Sequence, residues 1–115
     1  MTALIPQRVQ LSRKKGFRLP PLTVNVARPG KWGNPYRIGK PVDMRQARCY
    51  GWKMRFPERV CKDAEQAVQL FRLSVALDDG LQLVARQELR GKNLACWCAL
   101  GRPCHADVLL EIANR

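Results

Sequence analysis

A chain of 115 residues that is 46% hydrophobic and 26% charged has a globular composition and should form one compact domain, without room for a separate catalytic module. No apolar run approaches the roughly 20 residues that cross a bilayer. The start Met1-Thr2-Ala3-Leu4-Ile5-Pro6 also lacks the basic region and long apolar stretch of a secretory leader, so a cytoplasmic protein with no membrane contact is expected. The net charge of +12 is one-sided: residues 1–60 hold fourteen Lys or Arg against Asp43 and Glu58, whereas residues 61–115 hold seven of each sign.

In chain order, Arg8-Val9-Gln10-Leu11-Ser12 alternates polar and apolar residues and reads as a short strand, followed by a basic loop with Arg13, Lys14, Lys15 and Gly16. Thr23-Val24-Asn25-Val26-Ala27 repeats the alternation. The two strands are expected either to pair as a hairpin or to neighbour each other in one sheet. Arg28-Pro29-Gly30-Lys31-Trp32-Gly33-Asn34-Pro35-Tyr36-Arg37 then has two glycines and two prolines, which break regular structure, with aromatic rings set among cations. Two readings stay open for Trp32 and Tyr36: flat faces on which a base stacks beside Lys31, Asn34 and Arg37, or core anchors beneath a rigid turn. The stretch from Pro41 to Pro57 has no period and reads as a flexible insertion.

Helical grammar follows. Asp63 with Gln66 forms a capping box, and Ala64, Ala67, Val68, Phe71 and Val75 share one face of a helix that should stop near Asp79-Gly80. Leu81, Val84, Ala85 and Leu89 predict a second helix, with Gly91 at its C-terminal cap. Asn93 to Cys98 is a compact apolar run, predicted as a buried strand. Ala106, Leu109, Leu110 and Ala113 predict a closing helix after Pro103, with Asp107 in its first turn.

The chemistry is concentrated in Cys96-Trp97-Cys98-Ala99-Leu100-Gly101-Arg102-Pro103-Cys104-His105, which holds three of the five cysteines and the only histidine. Strand alternation puts Cys96 and Cys98 on one face and Trp97 on the other. A turn then returns the chain to Cys104 and His105, so three sulfurs and an imidazole can converge. Zinc accepts tetrahedral Cys3His, although the single residue between Cys96 and Cys98 and the adjacency of Cys104 and His105 depart from the usual two-residue knuckle. A second reading makes Cys104 or Cys98 a reactive thiolate at a helix N-terminus, with His105 or Asp107 as acid or base. The plainer alternative is that the thiols fill the core and His105 satisfies a local carbonyl.

The first forty residues carry nine basic side chains and no acid, which suits a phosphate-bearing partner as well as a merely solubilising face. Arg13, Lys14, Lys15, Lys31 and Arg37 are the expected phosphate contacts.

Leu89-Arg90-Gly91-Lys92-Asn93-Leu94-Ala95-Cys96-Trp97-Cys98 and Cys104-His105-Ala106-Asp107-Val108-Leu109, with Arg8-Val9 to Gly16 and Trp32-Gly33-Asn34-Pro35, resemble a small family of uncharacterised domains found in bacteria and their phages. The likeness covers most of the chain except Pro41 to Phe56. It implies that both elements belong to one recurrent pattern, with Trp32, Gly33, Asn34, Pro35, Cys96, Cys98, Cys104, His105 and Asp107 as site residues. It implies no activity. Phage occurrence would place the protein in a host cytoplasm and suits a small basic protein working near DNA.

The expectation is therefore a single α/β domain over residues 1–115, with a small mixed sheet flanked by two or three helices. Its basic half spans residues 1–60 and its helical half, with the Cys/His signature, residues 61–115. It should bind a nucleotide or nucleic acid, with Cys96, Cys98, Cys104 and His105 either holding zinc or doing the chemistry. An enzyme acting on nucleotides or modified bases, and an interaction protein docking on an acidic host protein, are the alternatives.

Overall fold

The computed structural model describes residues 5–40 and 60–115; the proposed insertion at 41–57, with Cys49, lies outside the described residues. Three strands, β1 (Arg8–Gln10), β2 (Thr23–Asn25) and β3 (Asn93–Cys96), and three helices, α1 (Ala64–Ala76), α2 (Asp79–Glu88) and α3 (His105–Ala113), make an α/β domain. The strand order is β1-β3-β2, and both pairings are parallel, with Val9 opposite Ala95 and Val24 opposite Leu94.

This corrects two expectations. β1 and β2 do not pair as a hairpin or lie side by side, because β3 is inserted between them, and the sheet formed by the described strands is parallel rather than mixed. Alternation identifies a strand but carries no information about its partner, whereas β3 has the near-continuous apolar character of a central parallel strand. Leu94 and Ala95 are fully buried and Cys96 nearly so. The ladder continues past the strand ends through the Leu11 N–H to Cys96 O bond at 2.8 Å and the Val26 N–H to Ala95 O bond at 2.9 Å.

Parallel strands place their carboxyl ends along one edge. The Arg13 loop leaves β1 there, the Arg28 loop leaves β2 there, and Trp97 and Cys98 leave β3 there. Such an edge is where open parallel sheets bind ligands.

The helices form where the apolar spacing predicts. Asp63 Oδ1 accepts from the Gln66 N–H at 2.8 Å, and Gln66 Oε1 accepts in return from the Lys62 N–H at 2.7 Å, so the capping pair closes one residue earlier than in the standard box. Ala67, Leu70, Phe71 and Val75 bury the core face of α1. Asp79-Gly80 does not end α1. Asp78 accepts from the Leu81 N–H at 2.9 Å and starts α2, so the break falls at Leu77. Gly91 has φ +76, the left-handed position that a residue with Cβ adopts only with strain. α3 packs against α1, α2 and β3 and buries Ala106, Val108, Leu109, Ile112 and Ala113. Among the described residues no helix is long and apolar enough to cross a membrane.

Candidate metal centre

β3 carries Cys96 into the core and ends there, so Trp97 and Cys98 leave the strand as the chain turns. Cys104 is the N-cap of α3 and makes no side-chain capping bond; His105 is the first residue of the helix. The ligand atoms of Cys96, Cys104 and His105 lie within 4.8 Å of one another, and all three residues are buried. Cys98, half-buried, places its Sγ 3.8 Å from that of Cys96. The described cysteines are free thiols.

The imidazole is oriented for ligation. Its Nε2 lies 2.7 Å from the Val26 carbonyl oxygen, which can only accept, so Nε2 carries a proton and Nδ1 is the nitrogen that in the neutral ring offers a lone pair. Nδ1 faces Cys104 Sγ at 3.8 Å. Phe71 meets the ring edge-on at 5.3 Å between centroids and fixes its plane. A backbone carbonyl holding the far nitrogen is the usual outer contact of a metal-bound histidine.

The donor spacing can be compared with an ion. Zinc–sulfur bonds of about 2.3 Å and zinc–nitrogen bonds of about 2.0–2.1 Å in a tetrahedron set sulfur–sulfur edges of about 3.8 Å and sulfur–nitrogen edges of about 3.6 Å. The Cys96–Cys98 and Cys104–His105 edges are both 3.8 Å. Those two edges match a tetrahedral ion, and the trio Cys96, Cys104 and His105 is gathered within 4.8 Å; Cys98 stands outside that trio and adjoins it through Cys96.

The sulfurs also differ electrostatically. The Cys96 thiol is held well below its ordinary range, first by the hydrogen bond with Cys104, against the opposing effect of burial. Cys104 is pushed up by that same pairing and then by burial, and Cys98 is pushed up chiefly by burial. The pairing among the sulfurs thus favours the thiolate at Cys96 over those at Cys98 and Cys104.

Arg8 holds the turn between the cysteines. Its Nη1 donates to the Arg102 carbonyl at 2.8 Å and to Asp107 Oδ2 at 2.9 Å, and its Nη2 donates to the Ala99 carbonyl at 2.8 Å. Its side chain is only 8% exposed, against 53% for Asp107. Asp107, a candidate acid or base, is thus engaged by Arg8, while the Val26 carbonyl orients His105. An arginine in a three-residue strand gives no local signal of this role.

The Trp-Gly-Asn-Pro element fastens the loop after β2 to α1. Asn34, buried, donates from Nδ2 to the Ala67 carbonyl at 3.1 Å and accepts from the Tyr36 N–H at 2.9 Å. A Cβ on Gly33 would meet Arg28 Cγ at 2.8 Å and Arg28 Cα at 2.9 Å, so only glycine fits. Trp32 and Tyr36 are buried, and the Tyr36 hydroxyl bonds Ser74 Oγ at 2.5 Å. Both rings are buried as core anchors, one of the two readings left open by the sequence. Lys31 pairs with Glu88 on α2 at 2.7 Å. Arg13, Lys14, Lys15 and Arg37 are exposed, with Arg13 5.1 Å over the ring of Trp97. Trp97 is itself 47% exposed. The sequence placed it opposite the sulfurs without giving it a role.

A cavity of about 270 Å³ opens beside the cluster, lined among others by Arg28, Ile38, Val68, Trp97, Cys98 and His105. A parallel α/β domain with a buried Cys/His cluster at the carboxyl edge of its sheet is the class that fold and site define. The chain belongs to the DUF4326 family, a domain of unknown function, whose sequence profile matches residues 9–115. No curated protein and no solved structure matches it.

Proposed function

We propose that this domain is a zinc protein, with Cys96, Cys98, Cys104 and His105 as ligands, that binds a nucleotide or nucleic acid through its basic N-terminal face. The zinc reading is carried by one observation: the ligand atoms of Cys96, Cys104 and His105 gather within 4.8 Å, with Cys98 Sγ 3.8 Å from Cys96 Sγ, while His105 Nε2 is engaged by the Val26 carbonyl. Thiolate and imidazole together favour zinc over hard oxygen-seeking cations. Four protein ligands close the coordination shell, so the ion ties β3 to α3 and supplies stability rather than a reactive water. The basic partner reading rests on the cations of residues 1–40 that the domain leaves exposed, among them Arg13, Lys14, Lys15, Arg18, Arg37 and Lys40, with the first of them in the loop that leaves β1 at a sheet edge suited to ligands.

The cavity beside the cluster favours a second reading, in which Cys98 is not a ligand and a three-ligand zinc keeps an open position toward a small substrate. Cys98→Ser decides between them. In the closed site this variant lowers cobalt(II) thiolate absorption by about a third, one of three thiolates, and binds zinc at least 10-fold more weakly, in keeping with the roughly 10–100-fold cost of disturbing even the outer contacts of a metal. Undiminished zinc affinity in Cys98→Ser would transfer support to the open, catalytic site.

A further inference from the structure

Trp97 combines exposure with a fixed backbone. It sits between Cys96, which is buried, and Cys98, whose sulfur contacts that of Cys96 at 3.8 Å, so the indole is held from both sides yet leaves 47% of its surface in water. Apolar surface left in water forfeits the stability that covering it would contribute. The nearest cover is Arg13, whose guanidinium lies 5.1 Å from the ring centroid. Parallel pairing explains the juxtaposition: Gln10 is opposite Cys96, so the loop leaving β1 emerges beside the residue leaving β3. That loop is shaped by the Lys14 N–H to Ser12 Oγ bond at 3.1 Å, the Phe17 N–H to Lys14 O bond at 3.0 Å and the φ of +87 at Gly16. It presents Arg13, Lys14, Lys15 and Arg18 to solvent.

We infer that Trp97 and the Arg13–Arg18 loop form a binding platform for single-stranded nucleic acid, in which a base stacks on the indole and consecutive phosphates meet the loop cations. The inference rests on the nucleic-acid reading above and specifies its site, moving the stacking contact from Trp32 and Tyr36 to Trp97. A flat ring beside a row of cations matches the alternation of base and phosphate along a strand. Duplex bases are already stacked and offer the ring no face. The four cations of the loop exceed what one nucleotide monophosphate requires, which favours a strand over a mononucleotide.

The test is fluorescence anisotropy with a labelled oligothymidylate on zinc-loaded protein, compared with a hairpin duplex, thymidine monophosphate and polyglutamate as competitors. Wild-type protein should bind the oligothymidylate in preference to all three. Trp97→Ala should weaken binding by about 5- to 150-fold, the range for one stacked base, and Trp97→Phe should recover most of it. Lys14→Ala should lower the logarithmic salt slope by about 0.7. Unchanged zinc content and thermal midpoint in Trp97→Ala would show that its fold is intact. Tight oligothymidylate binding that Trp97→Ala leaves untouched would overturn the platform while sparing the nucleic-acid reading. Absence of binding to oligothymidylate, duplex and mononucleotide alike would overturn both, and equal preference for duplex or polyglutamate would overturn the platform.

Discussion

Cys104→Ser is expected to release the metal and to lower the thermal midpoint by roughly 15 °C, measured by calorimetry on the zinc-loaded protein. Cys104 is 1% exposed and, as the N-cap of α3, is the point at which a bound ion would grip that helix. A serine hydroxyl there supplies no thiolate. A ligand held at a thousand times its dissociation constant contributes about 4 kcal/mol of folding stability, a large share of the roughly 5–15 kcal/mol of an ordinary domain. α3 would suffer most, since it packs on β3, α1 and α2 from the end that the ion secures. Cys61→Ser is the control. Cys61 is as deeply buried as Cys104, but its thiol contacts the Asp63 carbonyl rather than the cluster, so its loss should leave zinc bound. If both variants lose similar stability and neither alters metal content, the sulfurs are core packing.

Arg8→Ala is expected to cost about 2–4 kcal/mol and to weaken zinc about 10- to 100-fold. The guanidinium supplies donors to the Ala99 and Arg102 carbonyls and to Asp107, and its side chain is almost fully enclosed. Truncation leaves those acceptors in the turn between Cys98 and Cys104 without their donor, and the turn's geometry sets the spacing of two ligands. Lysine should not rescue, because a single ammonium cannot reproduce the fork that spans two carbonyls and a carboxylate. Asp107→Ala should cost no more than about 1 kcal/mol, since that carboxylate is half in water and its pairing is screened. Denaturant unfolding of the three variants, with zinc competition against a chromophoric chelator, measures both effects. An Arg8→Ala protein with wild-type zinc affinity would remove Arg8 from the support of the centre.

The helices and the cluster were legible because their signals are local. Asp63 and Gln66 announce the start of α1, apolar residues three and four apart mark its buried face, and three cysteines beside the only histidine mark a site. What lay beyond reach depends on partners distant in the chain. Nothing in Arg8-Val9-Gln10 or Thr23-Val24-Asn25 says that Asn93–Cys96 will separate them, since a strand's pattern encodes its faces and not its neighbours. Arg8 reads as one more cation in a basic segment until β1 is laid beside β3 and faces the turn 99–102. The two aromatic roles went the same way. Trp32 and Tyr36 stand in a loop of glycine, proline and cations, a context that suggests exposure, but Asn34 pins that loop to α1 and turns both rings inward. Trp97, in an apolar run, suggests burial, yet β3 ends one residue earlier and leaves it at the rim.

Metal content of tag-free protein, determined by elemental mass spectrometry together with alkylation of native thiols, tests the central claim most directly. Cys98 is the informative thiol, because Cys96 and Cys104 are shielded by burial alone whereas Cys98 is only half-buried. The zinc centre predicts near-stoichiometric zinc and a Cys98 that resists alkylation until a chelator removes the ion. Metal-free protein in which Cys98 reacts at once, at a rate the chelator does not change, would contradict it.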